Sequence, residues 1–401
     1  MIESPAESLT FESPDEFGSP LSPWVYTSAE LFELEYDAFF LRRWQFVGHV
    51  SQIPEPGDYM SASIGRDSLF VIRGKDDMLR AFLNVCRHRG SRIVEGSGHC
   101  KGVIRCPYHG WTYQLDGGLL GVPKEDAFPD FDRSRYGLHE IQLEVYHGFA
   151  FVRVRGDGSA VGEWFGQVGR YFELFDAANH VPCLAETCQV WDVNWKIAWD
   201  NYLENYHIPV GHPGLNRLLI ESEEAQELAS GVSYGVFELR DKPSTVDIER
   251  RYQELCPTVQ GSVPEDVRGK WVQIGVSGSL GIDLYAEAVD IFQLIPLSHE
   301  KTLVRAAYFG RRDPSDEERE LRQLLFEIND NVNDEDKTLC ERVQKGLQTT
   351  GYRPGPLSSE ESSVWYFHEM VRRLVPVARL DALPPVGQVA IENSRMLQSS
   401  P

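Results

Sequence analysis

Two short loops of the same chemical kind, Cys86-Arg-His88 and Cys106-Pro-Tyr-His109, are separated by seventeen residues. Each brings one thiolate and one imidazole, so a fold that uses them must hold two hairpin tips side by side. The flanks agree with this, because Met78 to Val85 and Trp111 to Leu115 alternate in the manner of strands. Gly90, Pro107 and Gly110 allow the sharp turns that aim main-chain N–H groups at sulfur. Two thiolates and two imidazoles suit a two-iron, two-sulfur cluster with both Cys on one iron and both His on the other. A structural zinc ion accepts the same donor set. Zinc knuckles, however, usually pair like with like, whereas each loop here mixes the two types.

A second constellation lies downstream, in Glu204-Asn-Tyr-His207-Ile-Pro-Val-Gly-His212. Helical spacing puts Trp195, Trp199, Leu203 and Tyr206 on one buried stripe, with Asp200, Glu204 and His207 along its edge. Five residues separate the two histidines, which on a continuous helix leaves them roughly 140° apart. Pro209 and Gly211 are expected to end the helix between them and let the imidazoles converge. Two histidines and one carboxylate with open positions suit non-haem Fe(II) that activates oxygen. The missing carboxylate is sought between Asn329 and Leu347. There Val332, Leu339, Val343 and Leu347 share a stripe with Ile328, and Asp336 falls within it. Asp330 and Asp334 fall on the opposite face and Glu335 at the edge. An inward carboxylate needs a partner, and a metal would supply one.

The stretch from Trp44-Gln-Phe-Val-Gly-His49 through the two Cys/His loops to about Val154 resembles the Rieske domain. With the downstream constellation, the chain resembles the catalytic oxygenase component of the Rieske non-haem iron oxygenases, particularly members built from one subunit type. Asn201-Tyr-Leu-Glu-Asn205, Glu335-Asp-Lys-Thr-Leu-Cys-Glu-Arg-Val-Gln-Lys-Gly-Leu347 and Gly355-Pro-Leu-Ser358 extend the likeness over most of the sequence. The resemblance implies that Cys86 and Cys106 hold one iron of a 2Fe-2S cluster and that His88 and His109 hold the other. It implies a mononuclear iron on His207, His212 and Asp336, with Asn201 near its open face. Glu204 matches the acidic residue that bridges the two centres, bonding to His207 and, across a subunit boundary, to the cluster ligand His109. Many ring-hydroxylating members have Asp there, and Glu resembles the branch acting on betaines, carnitine and related quaternary amines. The resemblance further implies a homotrimer, O2 as co-substrate, and NAD(P)H electrons delivered by a separate reductase or ferredoxin.

The implied fold class is α+β: a mostly antiparallel β Rieske domain, residues 41–155, and a catalytic domain, residues 156–401, in which helices cover an antiparallel sheet in a helix-grip-like manner. Residues 1–40 are expected to form a loose arm followed by a helix that packs on the catalytic domain. Thr27-Ser-Ala-Glu30 reads as a capping box opening that helix through about Leu41. Glu144 to Val154 reads as the last strand of the first domain, Val161 to Asn179 as helical, and Thr187 to Trp195 as extended. Glu221 to Lys270 is polar and broken, with a short helix at Val246 to Leu255, as in lids and substrate channels. Strands are expected at Trp271 to Val276, Ala288 to Pro296 and Thr302 to Gly310, and long helices from Ser315 onward. Gly275-Val-Ser-Gly-Ser-Leu-Gly281 has the wrong glycine spacing for a nucleotide loop.

A length of 401 residues accommodates two domains. The net charge of −22 argues against nucleic acid as a partner. Arg87, Arg89, Arg92, Lys101 and Arg105 nevertheless crowd the Cys/His loops, where they would either dock an acidic electron donor or pair with Glu95, Asp116 and their neighbours. No apolar run is long enough to span a membrane. Seven cysteines at irregular spacing suggest free thiols in a cytoplasm. Cys100, Cys183, Cys188, Cys256 and Cys340 read as bystanders, as do His49, His99, His139, His147, His180, His299 and His368. An aromatic cage for a quaternary ammonium could draw on Trp199, Tyr202, Tyr206, Tyr285 and Phe292.

Three functions remain at this stage. The first is a terminal oxygenase that hydroxylates or oxidatively demethylates a small organic substrate, an aromatic compound or a quaternary amine. The second is a Rieske-type electron carrier or redox sensor without turnover, and the third a zinc-stabilised binding protein.

Overall fold

The computed structural model describes residues 18–228, 231–276 and 278–399, the side chains of 221–228 excepted. The arm expected ahead of residue 18 lies outside the described residues. The chain divides into Phe40–Val161 and a second unit made by the segments on either side of it.

The Phe40–Val161 unit is an antiparallel sheet in the order Gln45–His49, Phe149–Arg153, Glu140–Tyr146, Leu79–Leu83, Asp67–Arg73, Asp58–Ile64 and Ser97–His99. A smaller sheet of Ile104–Arg105, Thr112–Tyr113 and Leu119–Gly121 carries the second Cys/His loop. Phe70, Ile72, Phe82, Ile104, Trp111, Tyr113 and Leu115 share one core with Cys86 and Cys106. The two thiols are thus anchored in packed apolar material rather than at free loop tips. The expected single strand from Glu144 to Val154 is instead two strands, because His147 and Gly148 both take positive φ, 47° and 85°, and turn the chain back on itself. Such a pair is the ordinary two-residue hairpin connection.

The second unit is built on an antiparallel sheet in the order His180–Pro182, Lys301–Arg311, Val289–Ser298, Leu280–Leu284, Lys270–Val276, Val232–Leu239 and Leu219–Leu228, with Thr187–Trp191 also paired to Lys301–Arg311. The segment read as a broken lid therefore supplies two long strands besides a helix, Asp247–Val259. The glycine-rich run from Gly275 is a hairpin in which Val276 pairs with Leu280. Residues 161 to 179 are helical but interrupted, as Val161–Phe165, Gly169–Leu174 and 3-10 turns between and after them.

The cap at the N-terminal helix is Ser28, whose hydroxyl accepts from Leu31 N, rather than Thr27. Ala29–Glu35 continues as a π-helical turn, Tyr36–Leu41. Glu35 accepts from Lys196 Nζ at 2.8 Å and from Trp195 Nε1 at 3.1 Å, and both side chains of this ion pair are fully buried. Asp316–Leu347 is one long helix, opened by Ser315 accepting from Glu318 N.

Candidate active site

Asn194 caps the helix Trp195–Tyr202, which buries Trp195 and Trp199; Leu203 closes it, still bonded to Trp199 O, and the helix goes no further. Glu204 therefore lies beyond the helix rather than on its edge, and Tyr206 is 65% exposed instead of joining the stripe. His207 opens a second short helix, Ile208–Gly211, so Pro209 and Gly211 sit inside a new turn instead of ending the old one. Proline is tolerated in a first helical turn, whose N–H groups have no intrahelical partner. The break ahead of His207 does what the sequence had assigned to Pro209: it re-aims the chain so that His207 and His212 converge.

Both imidazoles are oriented by carboxylates. His207 Nδ1 lies 2.6 Å from Glu204 Oε1, and the His207 backbone N donates to Glu204 Oε2 at 3.1 Å. His212 Nδ1 lies 2.8 Å from Glu335 Oε2. A proton on each Nδ1 leaves a lone pair on each Nε2. Those two Nε2 atoms are only 3.0 Å apart. Asp336, on the long helix, completes the group: its Oδ1 is 2.9 Å from His212 Nε2 and 3.6 Å from His207 Nε2, yet makes no hydrogen bond.

The metal-ligating atoms of His207, His212 and Asp336 lie within 4.8 Å of one another. Two lone pairs and a buried carboxylate oxygen aimed at a common point fit a divalent metal of the two-histidine, one-carboxylate kind. A proton competes for the same place. Burial disfavours charge on His207, but Asp336 and Glu204 more than offset it and hold its pKa up at about 9. Burial would raise Asp336, and the two imidazoles reverse this and hold it below the usual carboxylate range. Asn201 Nδ2 stands 3.3 Å from His207 Nε2. On the long helix the expected stripe is only partly right, since Val343 is 49% exposed and the buried positions are Leu321, Arg322, Leu325, Ile328, Cys340 and Gln344. Asp334 is exposed and bonded to Gln189.

The two Cys/His loops are near copies of each other. Gly90 N donates to Cys86 O at 3.0 Å and Gly110 N to Cys106 O at 3.1 Å, and both glycines have φ of 73°. Cys86 N donates to Ser91 O and Cys106 N to Trp111 O, each at 2.8 Å. His88 Nδ1 and His109 Nδ1 face each other at 3.1 Å, so an electron-pair acceptor again suits the space between them. Trp111 stacks on His88 with ring centroids 4.9 Å apart. Tyr113 Oη, which accepts from Arg87 N, lies 3.2 Å from Cys86 Sγ and is placed to donate to it. Two buried thiols and two convergent imidazoles fit a 2Fe-2S cluster. Arg89, Arg92, Lys101 and Arg105 are exposed and form no ion pair among the described residues, so the expected pairing with Glu95 and Asp116 is not seen.

Beside the His207, His212 and Asp336 group lies a cavity of about 850 Å³ including its mouth. Its lining includes Asn201, Glu204, Tyr202, Phe237, Trp271 and Tyr285. Phe292, Asp283, Asp290 and Asn329 line it as well. Tyr202 is the middle ring of a stack, with Trp199 5.2 Å away on one side and Phe292 5.3 Å away on the other. Of the five aromatics considered for a cage, Tyr202, Tyr285 and Phe292 line the cavity, whereas Trp199 stands behind Tyr202 and Tyr206 is elsewhere.

Sequence reasoning placed Glu335 at the stripe's edge but missed its contact with His212, and it missed Tyr113 and the Asp283 and Asp290 carboxylates altogether. The last two could have been noticed as acids inside the apolar runs Leu280-Gly-Ile-Asp-Leu284 and Ala288-Val-Asp-Ile-Phe292.

A histidine-and-thiolate cluster site and a two-histidine, one-carboxylate site on one chain define a Rieske-type oxygenase. Residues 43–132 match the Rieske [2Fe-2S] domain and residues 177–376 the ring hydroxylating alpha subunit catalytic domain, and the chain belongs to this family of oxygenases. It is 30% identical over 358 residues to the carnitine monooxygenase oxygenase subunit of Acinetobacter pittii, covering 85% of this chain and 90% of that one. It is 28% identical over 382 residues to the glycine betaine monooxygenase oxygenase subunit of Pseudomonas aeruginosa, covering 87% and 88%. The fold is shared with the quaternary ammonium Rieske monooxygenase CntA, at a TM-score of 0.76 and 24% identity over 90% of this chain and 96% of that one. It is shared too with naphthalene 1,2-dioxygenase from Rhodococcus sp., at a TM-score of 0.71 and 21% identity over 88% and 94%. Among the described residues no helix is long and apolar enough to cross a membrane.

Proposed function

We propose that the chain is the terminal oxygenase of a multicomponent system, receiving electrons from a separate NAD(P)H-dependent reductase or ferredoxin and hydroxylating or oxidatively demethylating a small organic amine. The observation that carries this reading is the convergence of His207 Nε2, His212 Nε2 and Asp336 Oδ1 beside a cavity lined by aromatic rings and carboxylates. When bound there, iron(II) supplies the capacity to activate O2, and the 2Fe-2S cluster on Cys86, Cys106, His88 and His109 supplies electrons one at a time.

The protein's own residues do the rest. Glu204 and Glu335 fix the His207 and His212 rings and keep each Nδ1 protonated. Asn201 lines the cavity next to His207 and can offer its amide to whatever lies there. Tyr285, Phe237, Phe292 and Trp271 give the cavity an aromatic lining that suits a cation, while Tyr202, covered on both faces by Trp199 and Phe292, offers its hydroxyl edge. In a homotrimer, Glu204 links His207 of one subunit to His109 of its neighbour. Inter-subunit electron transfer is described for the quaternary ammonium monooxygenase of like fold. The exposed arginines and lysine around the cluster loops suit an acidic electron donor. A reducing cytoplasm suits seven cysteines that are all free.

The test is turnover with purified, iron-loaded protein and a surrogate reductase. About three irons per chain, a Rieske absorption spectrum and substrate-dependent O2 uptake are expected. Glu204→Gln is expected to keep both metal centres and lose coupled O2 uptake, and normal turnover in that variant rules out the bridge. A cluster spectrum with no turnover on any amine would favour an electron carrier.

A further inference from the structure

Gln273, Asp283, Asp290 and Tyr308 form one row across four neighbouring strands. Gln273 is the register partner of Asp283, Asp283 of Asp290, and Asp290 of Tyr308. Side chains alternate along a strand, so this row shares its face with Trp271, Tyr285 and Phe292, the rings that line the cavity. Ile282, Leu284, Val289 and Ile291 point to the other side and are fully buried.

Two carboxylates directly opposite each other on adjacent strands repel, and a structural pair of this kind is ordinarily neutralised by a neighbouring cation. Here none is supplied: the described residues lining the cavity include Asp283, Asp290, Asp336 and Glu204 but no Lys and no Arg. Asp283 receives a hydrogen bond from Tyr202 Oη at 3.1 Å, and Asp290 Oδ2 one from Asn329 Nδ2 at 2.9 Å. Asp290 is only 4% exposed; the Tyr308 hydroxyl also faces its carboxylate, and its Oδ1 makes no hydrogen bond. Burial pushes the Asp290 carboxyl up to about 7, and burial together with Asp290 pushes Asp283 well above its ordinary value. Burial thus favours protons on the pair, and a cation bound beside it would favour the charged form instead.

We propose that Asp283 and Asp290 are the cation-recognising pair of this cavity, and that its substrate is an organic amine cation with at least one N–H and no carboxylate, such as a protonated alkylamine or an alkylguanidinium. A quaternary ammonium ion is satisfied by ring faces and has no N–H to give the Asp283 and Asp290 carboxylates that line the cavity. A betaine carries a carboxylate that would meet an anionic lining with no Lys or Arg to receive it. The inference rests on the reading of this cavity as the substrate pocket of an oxygenase.

The experiment is calorimetric titration of the iron-loaded oxygenase with three probes of similar size: dimethylbutylamine, trimethylbutylammonium and dimethylaminobutyrate. The first has an N–H and no carboxylate, the second lacks the N–H, and the third adds a carboxylate. Dimethylbutylamine is expected to bind about tenfold more tightly than either of the others, the size of one charge-assisted hydrogen bond. It is expected to release protons on binding, read by repeating the titration in buffers of different ionisation heat. Asp290→Asn and Asp283→Asn are each expected to weaken it about tenfold with iron content and cluster spectrum unchanged. Failure of dimethylbutylamine to bind, equal or tighter binding of trimethylbutylammonium or dimethylaminobutyrate, or no loss in either Asn variant overturns the proposal. Loss of iron or of the cluster spectrum in the parent protein strikes instead at the oxygenase reading.

Discussion

Glu335 Oε2 lies 2.8 Å from His212 Nδ1, on the opposite side of the ring from the Nε2 that faces His207. The carboxylate one residue before the proposed ligand Asp336 thus orients one histidine, as Glu204 orients the other. Glu335→Ala frees the His212 ring to rotate and to carry its proton on either nitrogen. Affinity for iron(II) is expected to fall about 10- to 100-fold. Metal content after dialysis against graded chelator measures it, with the cluster spectrum as internal control. Unchanged iron retention would show that packing alone holds the ring.

The buried Glu35 and Lys196 pair sits under the first helix of the catalytic unit. Burial pushes the Glu35 carboxyl up and the Lys196 ammonium down, and each partner's charge works against that shift in the other. Lys196→Met leaves an uncompensated acid in apolar surroundings and is expected to cost about 3–5 kcal/mol. Adding Glu35→Leu to it should restore most of the loss. Urea unfolding of the two variants decides; a double variant as weak as the single one would assign the loss to packing rather than charge.

Gly281 is the register partner of Phe292, and a Cβ there would collide with the Tyr202 ring. Tyr202 cannot retreat, because Trp199 and Phe292 stack on its two faces. Gly281→Ala is expected to destabilise by about 1–3 kcal/mol. Gly346→Ala, in open space on the long helix, should stabilise by about 0.5–1 kcal/mol. Denaturation midpoints for the pair test both signs.

Asp290 and Glu287 are each raised to about 7 by burial. Between about pH 4 and pH 7 the unfolded chain has released these protons while the folded chain retains them, so the folded state binds more protons. Their contribution to stability therefore falls as pH rises through that window and levels off above pH 7 or so. Asp290→Asn removes one of the two, and its melting temperature should decline less steeply from about pH 5 to pH 7 than that of the parent. Parallel curves would mean that Asp290 is ionised throughout.

The convergence of both proposed ligand sets was legible because ligand chemistry demands particular side chains at short spacing: Cys86 with His88, Cys106 with His109, and His207 with His212. Asp336 was legible by periodicity, although the stripe used to find it included the exposed Val343. What escaped was set by backbone geometry and by packing between distant segments. The break after Leu203 has no proline to announce it, and Pro209, an expected terminator, opens a turn instead. The His147–Gly148 hairpin was hidden inside an apolar run that seemed continuous. The strands Leu219–Leu228 and Val232–Leu239 carry enough polar residues to resemble a loop and are strands because neighbouring strands pair with them. Asp283 and Asp290 acquire meaning only once two strands bring them opposite each other.

The His212 and Glu335 contact also orders events in time. The two belong to segments 123 residues apart. During synthesis the histidines emerge long before the long helix that carries Glu335 and Asp336. The proposed iron pocket is consequently complete only when that helix has docked, whereas both Cys/His loops leave the ribosome early and close on their own backbone bonds. On the proposed ligand set, loading of a metal there would follow docking of that helix, and a chain truncated ahead of it would keep the cluster loops but lack Glu335 and Asp336.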